Sequence, residues 1–316
     1  MMSTAFTREQ HEGRSGAGNP AVRYQGREFP LAQAHNFSYG LVNPVLAYLI
    51  SSLGCFLGLQ CTARARALQG AARARWLLLA AVSIGTTGIW VMHFIAMLGY
   101  TITGQVISYN VPVTILSMLI AVAVVAVGLF IVGFGSGDDW PRLLLGGSVI
   151  GIGVAGMHYM GMWAMRMPDT MSYSPGLLIL SVIIAMVAGT AALWAALRLN
   201  GLTATLVASL IMGVAVSGMH YTGMAALRVF HAPAGGMLSM GAGAGATSFL
   251  LPLILGISIL TFLVTAIVTM APTAEEMRED AALMERIAQL SKNLGEAPRR
   301  LRCRRMCEPV MSLGRL

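Results

Sequence analysis

Seven apolar runs, each long enough to cross a bilayer, decide what this 316-residue chain can become. They are Leu41–Cys61, Trp76–Tyr100, Val111–Phe134, Leu143–Met165, Leu177–Leu197, Leu202–Val229 and Leu250–Met270. A hydrocarbon core about 30 Å thick takes roughly 20 mostly apolar residues as a helix. Nothing in the runs alternates with period two, and their glycines and span-end prolines suit membrane helices rather than barrel strands. A chain that is 56% hydrophobic and 11% charged, with a mean hydropathy of +0.70, is not a soluble globular domain. The expected fold class is therefore an all-α membrane protein with seven transmembrane helices.

The flanks set the expected topology. Residues 1–40 are polar and Gly/Pro-rich at Gly13–Pro20, with no apolar stretch beside the start; they are read as a disordered tail without a cleavable signal peptide. The first loop carries Arg64, Arg66, Arg73 and Arg75, and the segment after Met270 carries nine basic residues from Arg278 to Arg315. Six helices separate the two, so they share a face, and the positive-inside rule makes it cytoplasmic. The N-terminal tail is then extracytoplasmic, despite Arg8, Arg14, Arg23 and Arg27. The net charge of +8 suits contact with anionic lipid and implies no nucleic-acid partner.

A repeat of 62–65 residues runs through the spans. The second contains GIWVMHFIAML, the fourth GVAGMHYMGMW and the sixth VSGMHYTGMAA, so each repeat is two helices with the motif on the second. The architecture is three two-helix repeats plus a seventh helix. An even number of helices separates successive motifs, so all three point the same way, as in parallel repeats about an axis along the membrane normal. His93, His158 and His220 lie 7 to 9 residues before the ends of their spans, about 10 to 14 Å below the outer surface. A rough threefold arrangement turns them toward a common centre; separate sites, each shared with a neighbouring helix, are the alternative.

The spans hold no Asp, Glu, Lys or Arg in their interiors, and Arg228 sits at the very end of the sixth. An intramembrane histidine costs stability, so three in matched contexts point to a shared ligand role rather than to hydrogen bonds between neighbouring helices. Met97, Met162 and Met224 follow the histidines by four residues, on nearly the same helical face. Met92, Met157 and Met219 precede them, offset by about 100°. Thioether and imidazole together are a donor set for copper. Met165, Met167, Met171, Met237 and Met240 gather in the outer loops, where they would either capture metal or pack. Gly156, Gly161, Gly218 and Gly223 are expected to let the helices approach. Tyr159 and Tyr221, with Phe94 in the first copy, put a ring beside each histidine.

These residues resemble the MHYT domain, a bacterial integral-membrane sensor module named for the tetrapeptide at Met219–Thr222. The resemblance covers residues 38–270, including YGLVNPVLAYLISSLG in the first helix. It implies a sensor of oxygen, carbon monoxide or nitric oxide through one or two bound copper ions. The ligands carried over are Met92, His93 and Met97; Met157, His158, Tyr159 and Met162; and Met219, His220, Tyr221 and Met224. The first two copies read MHFI and MHYM, departing from the full tetrapeptide. Many members continue into a cyclase, phosphodiesterase or kinase domain, for which the roughly 45 residues after the seventh helix are too few.

The chain is accordingly read as a non-enzymatic sensor of the bacterial cytoplasmic membrane, signalling to a cytoplasmic partner in trans. Alternatives are a copper transporter or channel and a haem protein, though a haem would leave one histidine over. In domain terms, residues 1–40 are the tail, 41–271 the membrane domain and 272–316 a cytoplasmic segment. Residues 274–293 of that segment form a short amphipathic helix that would dock a response protein or pair in a homodimer. Cys55, Cys61, Cys303 and Cys307 imply no disulfide framework.

Overall fold

The computed structural model describes residues 21–24, 27–30, 32–103, 105–135, 140–167, 169–199, 201–230, 244–270, 279 and 282–291. All seven expected spans are helices long and apolar enough to cross a membrane. They are α1 (Val42–Arg66), α2 (Gly70–Leu98), α3 (Val111–Gly133), α4 (Trp140–Trp163), α5 (Pro175–Arg198), α6 (Leu202–Ala226) and α7 (Leu251–Met270). Local chemistry sets several starts. Asn110 accepts from the Val113 N–H at 3.2 Å to cap α3, with a proline in the first turn, and α5 opens on Pro175. Gly201, at φ 87°, makes the left-handed turn into α6.

From α1 to α6 consecutive helices pack as neighbours, and α6 closes on α1. The three hairpins thus form a closed six-helix ring, while α7 lies against α1 and α2. The most buried span is α2. A Cβ on Gly54 would overlap the Gly88 backbone, so α1 and α2 meet at van der Waals distance there, and the Ser51 hydroxyl donates to the Gly88 carbonyl at 2.6 Å. On its other sides, the Trp90 indole N–H donates to Ser117 Oγ at 3.0 Å, and Thr87 and Thr261 hydroxyls lie 2.5 Å apart, tying α2 to α3 and α7.

Ser83–Val91, just before the first motif, is π-helical rather than α-helical. Hydropathy counts residues and is blind to such a change of winding, which recurs at functional sites.

At the end remote from the motifs, Arg66 donates to the Ala196 and Leu199 carbonyls at 2.8 and 2.5 Å, and Arg64 donates to the Val268 carbonyl. Arg64 and Arg66, expected in the first loop but placed in the last turn of α1, therefore tie that helix to the C-terminal ends of α5 and α7, where carbonyls lack helical partners.

The motif end carries short antiparallel strands. β1 (Ala21–Tyr24) pairs with β2 (Arg27–Pro30), and β3 (Ala34–His35) pairs with β4 (Thr101–Ile102). β5 (Ser108–Tyr109) lies between β6 (Met165–Arg166) and β9 (Ala244–Gly245), and β7 (Thr170–Tyr173) pairs with β8 (Leu227–Phe230). Two expectations are corrected. The described residues of this region are not a featureless tail: Ala21–Tyr24 and Arg27–Pro30 pair with each other, the Ala32 N–H donates to the Val229 carbonyl, and β3 pairs with β4, which satisfies backbone groups at the motif end. The helices that carry the motifs also stop at Leu98, Trp163 and Ala226, since Met165 and Leu227–Val229, counted as span by their apolarity, are strand. The histidines thus sit 5 or 6 residues from the helix ends, about 8 to 9 Å, shallower than the sequence estimate.

Residues 282–291 are helical, and Leu283, Met284, Ile287 and Leu290 on that helix are exposed. The rest of the expected 274–293 helix apart from Glu279, together with Met237, Met240, Cys303 and Cys307, lies outside the described residues. Cys55 and Cys61 are buried, free thiols.

Candidate metal centre

The closed ring brings His93, His158 and His220 to one point. His93 Nδ1 lies 3.0 Å from His220 Nδ1 and 3.2 Å from His158 Nδ1. The rings stand nearly perpendicular, at 79° to 88°, with centroids 5.0 to 5.1 Å apart. Each histidine is only 1% exposed. One ring nitrogen from each lies within 4.8 Å of the other two, and this is the one His, Cys, Asp and Glu cluster of that kind among the described residues.

The convergence has a simple packing cause. A Cβ at Gly161 would stand 2.5 Å from His93 Nε2, and one at Gly223 would stand 2.5 Å from His158 Nε2. The back of each of these rings therefore rests on the bare backbone of the next motif, three residues after its histidine. In the first motif that position is Ala96. Gly156 and Gly218, expected to serve the same purpose, face open space. The helical wheel separates the two sets: i+3 lies about 60° from the histidine, whereas i−2 lies about 160° away.

Hydrogen bonding alone accounts poorly for the cluster. An imidazole nitrogen has one in-plane position, filled by a proton or by a lone pair. His93 Nδ1 faces two other Nδ1 atoms, so it cannot make a good linear hydrogen bond to both. The far nitrogens, His93 Nε2 and His158 Nε2, are buried with no partner. A tetrahedral ion with bonds of about 2.0 Å holds its donors about 3.3 Å apart. The observed separations of 3.0 and 3.2 Å match neighbouring donors on such an ion, which His93, His158 and His220 would hold. The donor set therefore suits a metal that favours imidazole.

Met92, Met97, Met157, Met162, Met219 and Met224 are all buried, at 4% exposure or less. The aromatic residue after each histidine stands edge-on to it: Phe94 at 4.7 Å, Tyr159 at 4.9 Å and Tyr221 at 4.9 Å between centroids. The Tyr159 hydroxyl is engaged with Ser181 Oγ at 2.7 Å, so this phenol takes a neighbour on α5. Of the loop methionines, Met165 is buried within β6 and Met171 is half-buried in β7.

Three tyrosines that motif reading does not single out cover this end. Tyr173 stacks edge-on to Tyr159 at 5.3 Å, and Tyr109 packs on Phe94 at 5.7 Å. Burial pushes the Tyr100 and Tyr109 phenols upward, and burial with Tyr159 nearby pushes Tyr173 to about 12. A phenol whose value is raised on folding stabilises the fold fully below its unfolded value, about pH 10. That contribution declines as pH rises toward 12. Alkaline titration is expected to show late tyrosinate absorbance coincident with loss of the strand cap. Tyr173→Phe is expected to move that transition to higher pH.

The comparisons agree with this architecture. Residues 87–146 and 151–209 match MHYT, described as a bacterial signalling protein N-terminal repeat, so the chain carries two MHYT repeats. It is 38% identical over 194 residues to the bifunctional diguanylate cyclase/cyclic di-GMP phosphodiesterase MucR of Pseudomonas aeruginosa, spanning 60% of this chain and 28% of that protein. It is 36% identical over 240 residues to the cyclic di-GMP phosphodiesterase NbdA of the same organism, spanning 72% and 30%. The signaling protein YkoW of Bacillus subtilis is 30% identical over 198 residues, spanning 59% and 24%. The chain thus spans less than a third of these relatives, and the catalytic activities in their names are theirs. No solved structure matches. The class defined by fold and family is a multi-pass membrane sensor module of the MHYT type.

Proposed function

We propose that the protein is a sensor that holds copper on His93, His158 and His220 and responds to a diatomic gas, O2, CO or NO, or to redox state. The observation that carries this reading is the convergence of three Nδ1 atoms while two Nε2 atoms lie buried without partners. Copper bound there would supply an open coordination position and accessible oxidation states. The histidines hold the ion, the glycines fix their rings, and the strand cap with its tyrosines limits access from water. Motifs face the cell exterior and Arg64 and Arg66 the cytoplasm, in the cytoplasmic membrane of a bacterium, by the positive-inside rule.

Transmission would start at α2. His93 follows the π segment, and Thr87 in that segment meets Thr261 of α7, which leads toward the exposed helical residues 282–291. A change in the trio would shift α2 against α7 and present that helix to a cytoplasmic partner or a second copy. The transporter reading is weaker, because one turn further in the motif helices carry Ile89, Val154 and Val216, and the sulfurs of Cys55, Met212 and Met219 beside them do not repeat the His and Met pairing of the motifs. A haem is weaker still: metal bonds of about 2.0 Å on either face would put axial nitrogens about 4 Å apart, with the macrocycle between them.

The test is metal content by plasma mass spectrometry on detergent-purified protein. Copper at a fixed ratio to wild type, lost in His93→Ala/His158→Ala/His220→Ala, is the expected outcome. Copper retained by the triple variant would sink the assignment, and zinc in place of copper would replace the gas reading with a redox-inert site.

A further inference from the structure

We infer that the bundle holds a second, dry binding site on its pseudo-threefold axis, one turn inward from the histidines, for an uncharged apolar molecule of two or three atoms. Ile89, Val154 and Val216 each precede a motif histidine by four residues, a rise of about 6 Å on nearly the same face. All three line one cavity of about 50 Å³, joined at the next turn by Ile150 and Met212. Met219, the residue before His220, also lines it. The repeat that brings three imidazoles together therefore brings three branched aliphatic side chains together beneath them. Those side chains surround an unfilled space that adjoins the trio.

The chemistry of the lining selects the occupant. Apart from the Cys55 thiol, it is aliphatic, methionine and glycine, so a water inside would lack the two to four polar partners it needs. Cavities of this kind stay dry and take up apolar guests; a space of about 150 Å³ accepts benzene or xenon. A volume of about 50 Å³ excludes benzene and leaves room for xenon or a diatomic molecule. Apart from Leu193, the α5 wall is made of small residues, including Ala188 and Ala192, which are only half-buried, as are Ala215 and Val216 on α6. The cavity thus reaches the bundle perimeter between α5 and α6, where apolar gases partition from lipid without crossing the strand cap. Only the role of this site rests on the gas-sensor reading: it would supply the gas to the trio from the membrane side.

The experiment uses crystals of the metal-free full chain under xenon pressure, with anomalous scattering locating the xenon. One peak among Ile89, Val154 and Val216 is expected, and Ala188→Leu/Ala192→Leu is expected to lower its occupancy at least fivefold. No peak there, or equal occupancy in the filled variant, overturns the inference. Leu193→Ala enlarges the space from a buried wall position and is expected to admit benzene as well; if it admits neither guest, the inference fails. Because metal is absent throughout, a negative result here leaves the copper reading standing, and loss of the copper reading leaves this site standing.

Discussion

Gly161→Ala and Gly223→Ala are expected to weaken copper binding sharply, while Gly156→Ala and Gly218→Ala leave it unchanged. All four glycines flank the same motif at the same two offsets, so the comparison isolates geometry from composition. A methyl group at Gly161 would stand 2.5 Å from His93 Nε2, and one at Gly223 the same distance from His158 Nε2. Neither ring can back away freely, since both are 1% exposed and their Nδ1 faces already lie 3.2 Å apart. Overpacking of this kind costs about 1–3 kcal/mol, which corresponds to about 5- to 150-fold in affinity if the strain is relieved by displacing a ligand. Gly156 and Gly218 have nothing within 4 Å of a Cβ. Titration of purified variants with a competing copper chelator measures the difference. Equal losses at all four positions would mean that glycine flexibility, not ring packing, shapes the centre.

The same glycines show what the sequence could and could not disclose. The seven spans, the three repeats and the shared direction of the motifs are consequences of hydropathy and parity. The ring closure of α6 on α1 completes the threefold arrangement that parity suggested. The partition of the glycines was also legible, but only through the angular offset of each from its histidine. The layer at Ile89, Val154 and Val216 was legible by the same i−4 arithmetic, though apolar residues among apolar residues carry no contrast.

Three features had no such signal. The π winding of Ser83–Val91 depends on how α2 is gripped by α1, α3 and α7, and its residues read as ordinary span. The strands at the motif end are two to four residues long, too short for period-two alternation to register. Tyr100 and Tyr109 come from the α2–α3 connection and Tyr173 from the α4–α5 connection, and they acquire a common role only through those strands.

If the trio is kept for a ligand and not for folding, His93→Leu/His158→Leu/His220→Leu should make the metal-free protein more stable. In the wild type, His93 Nε2 and His158 Nε2 are buried without partners, and an unsatisfied buried polar atom costs about 1–3 kcal/mol. The Nδ1 contacts recover part of this, but one in-plane position on each nitrogen cannot serve two neighbours. Leucine has a comparable volume, keeps the site filled and carries no polar atom, so the exchange removes the penalty without opening a cavity. The thermal midpoint of metal-free protein in detergent is expected to rise in the triple leucine variant. Added copper reverses the order: free copper at 100 times its dissociation constant stabilises the wild type by about 2.7 kcal/mol and the variant not at all. A lower midpoint for the variant, with no copper response in the wild type, would identify the trio as a structural hydrogen-bond cluster. A higher midpoint joined to a lost copper response would show a site that natural sequence retains at a cost in stability, as expected of histidines placed within a bilayer for the sake of a ligand.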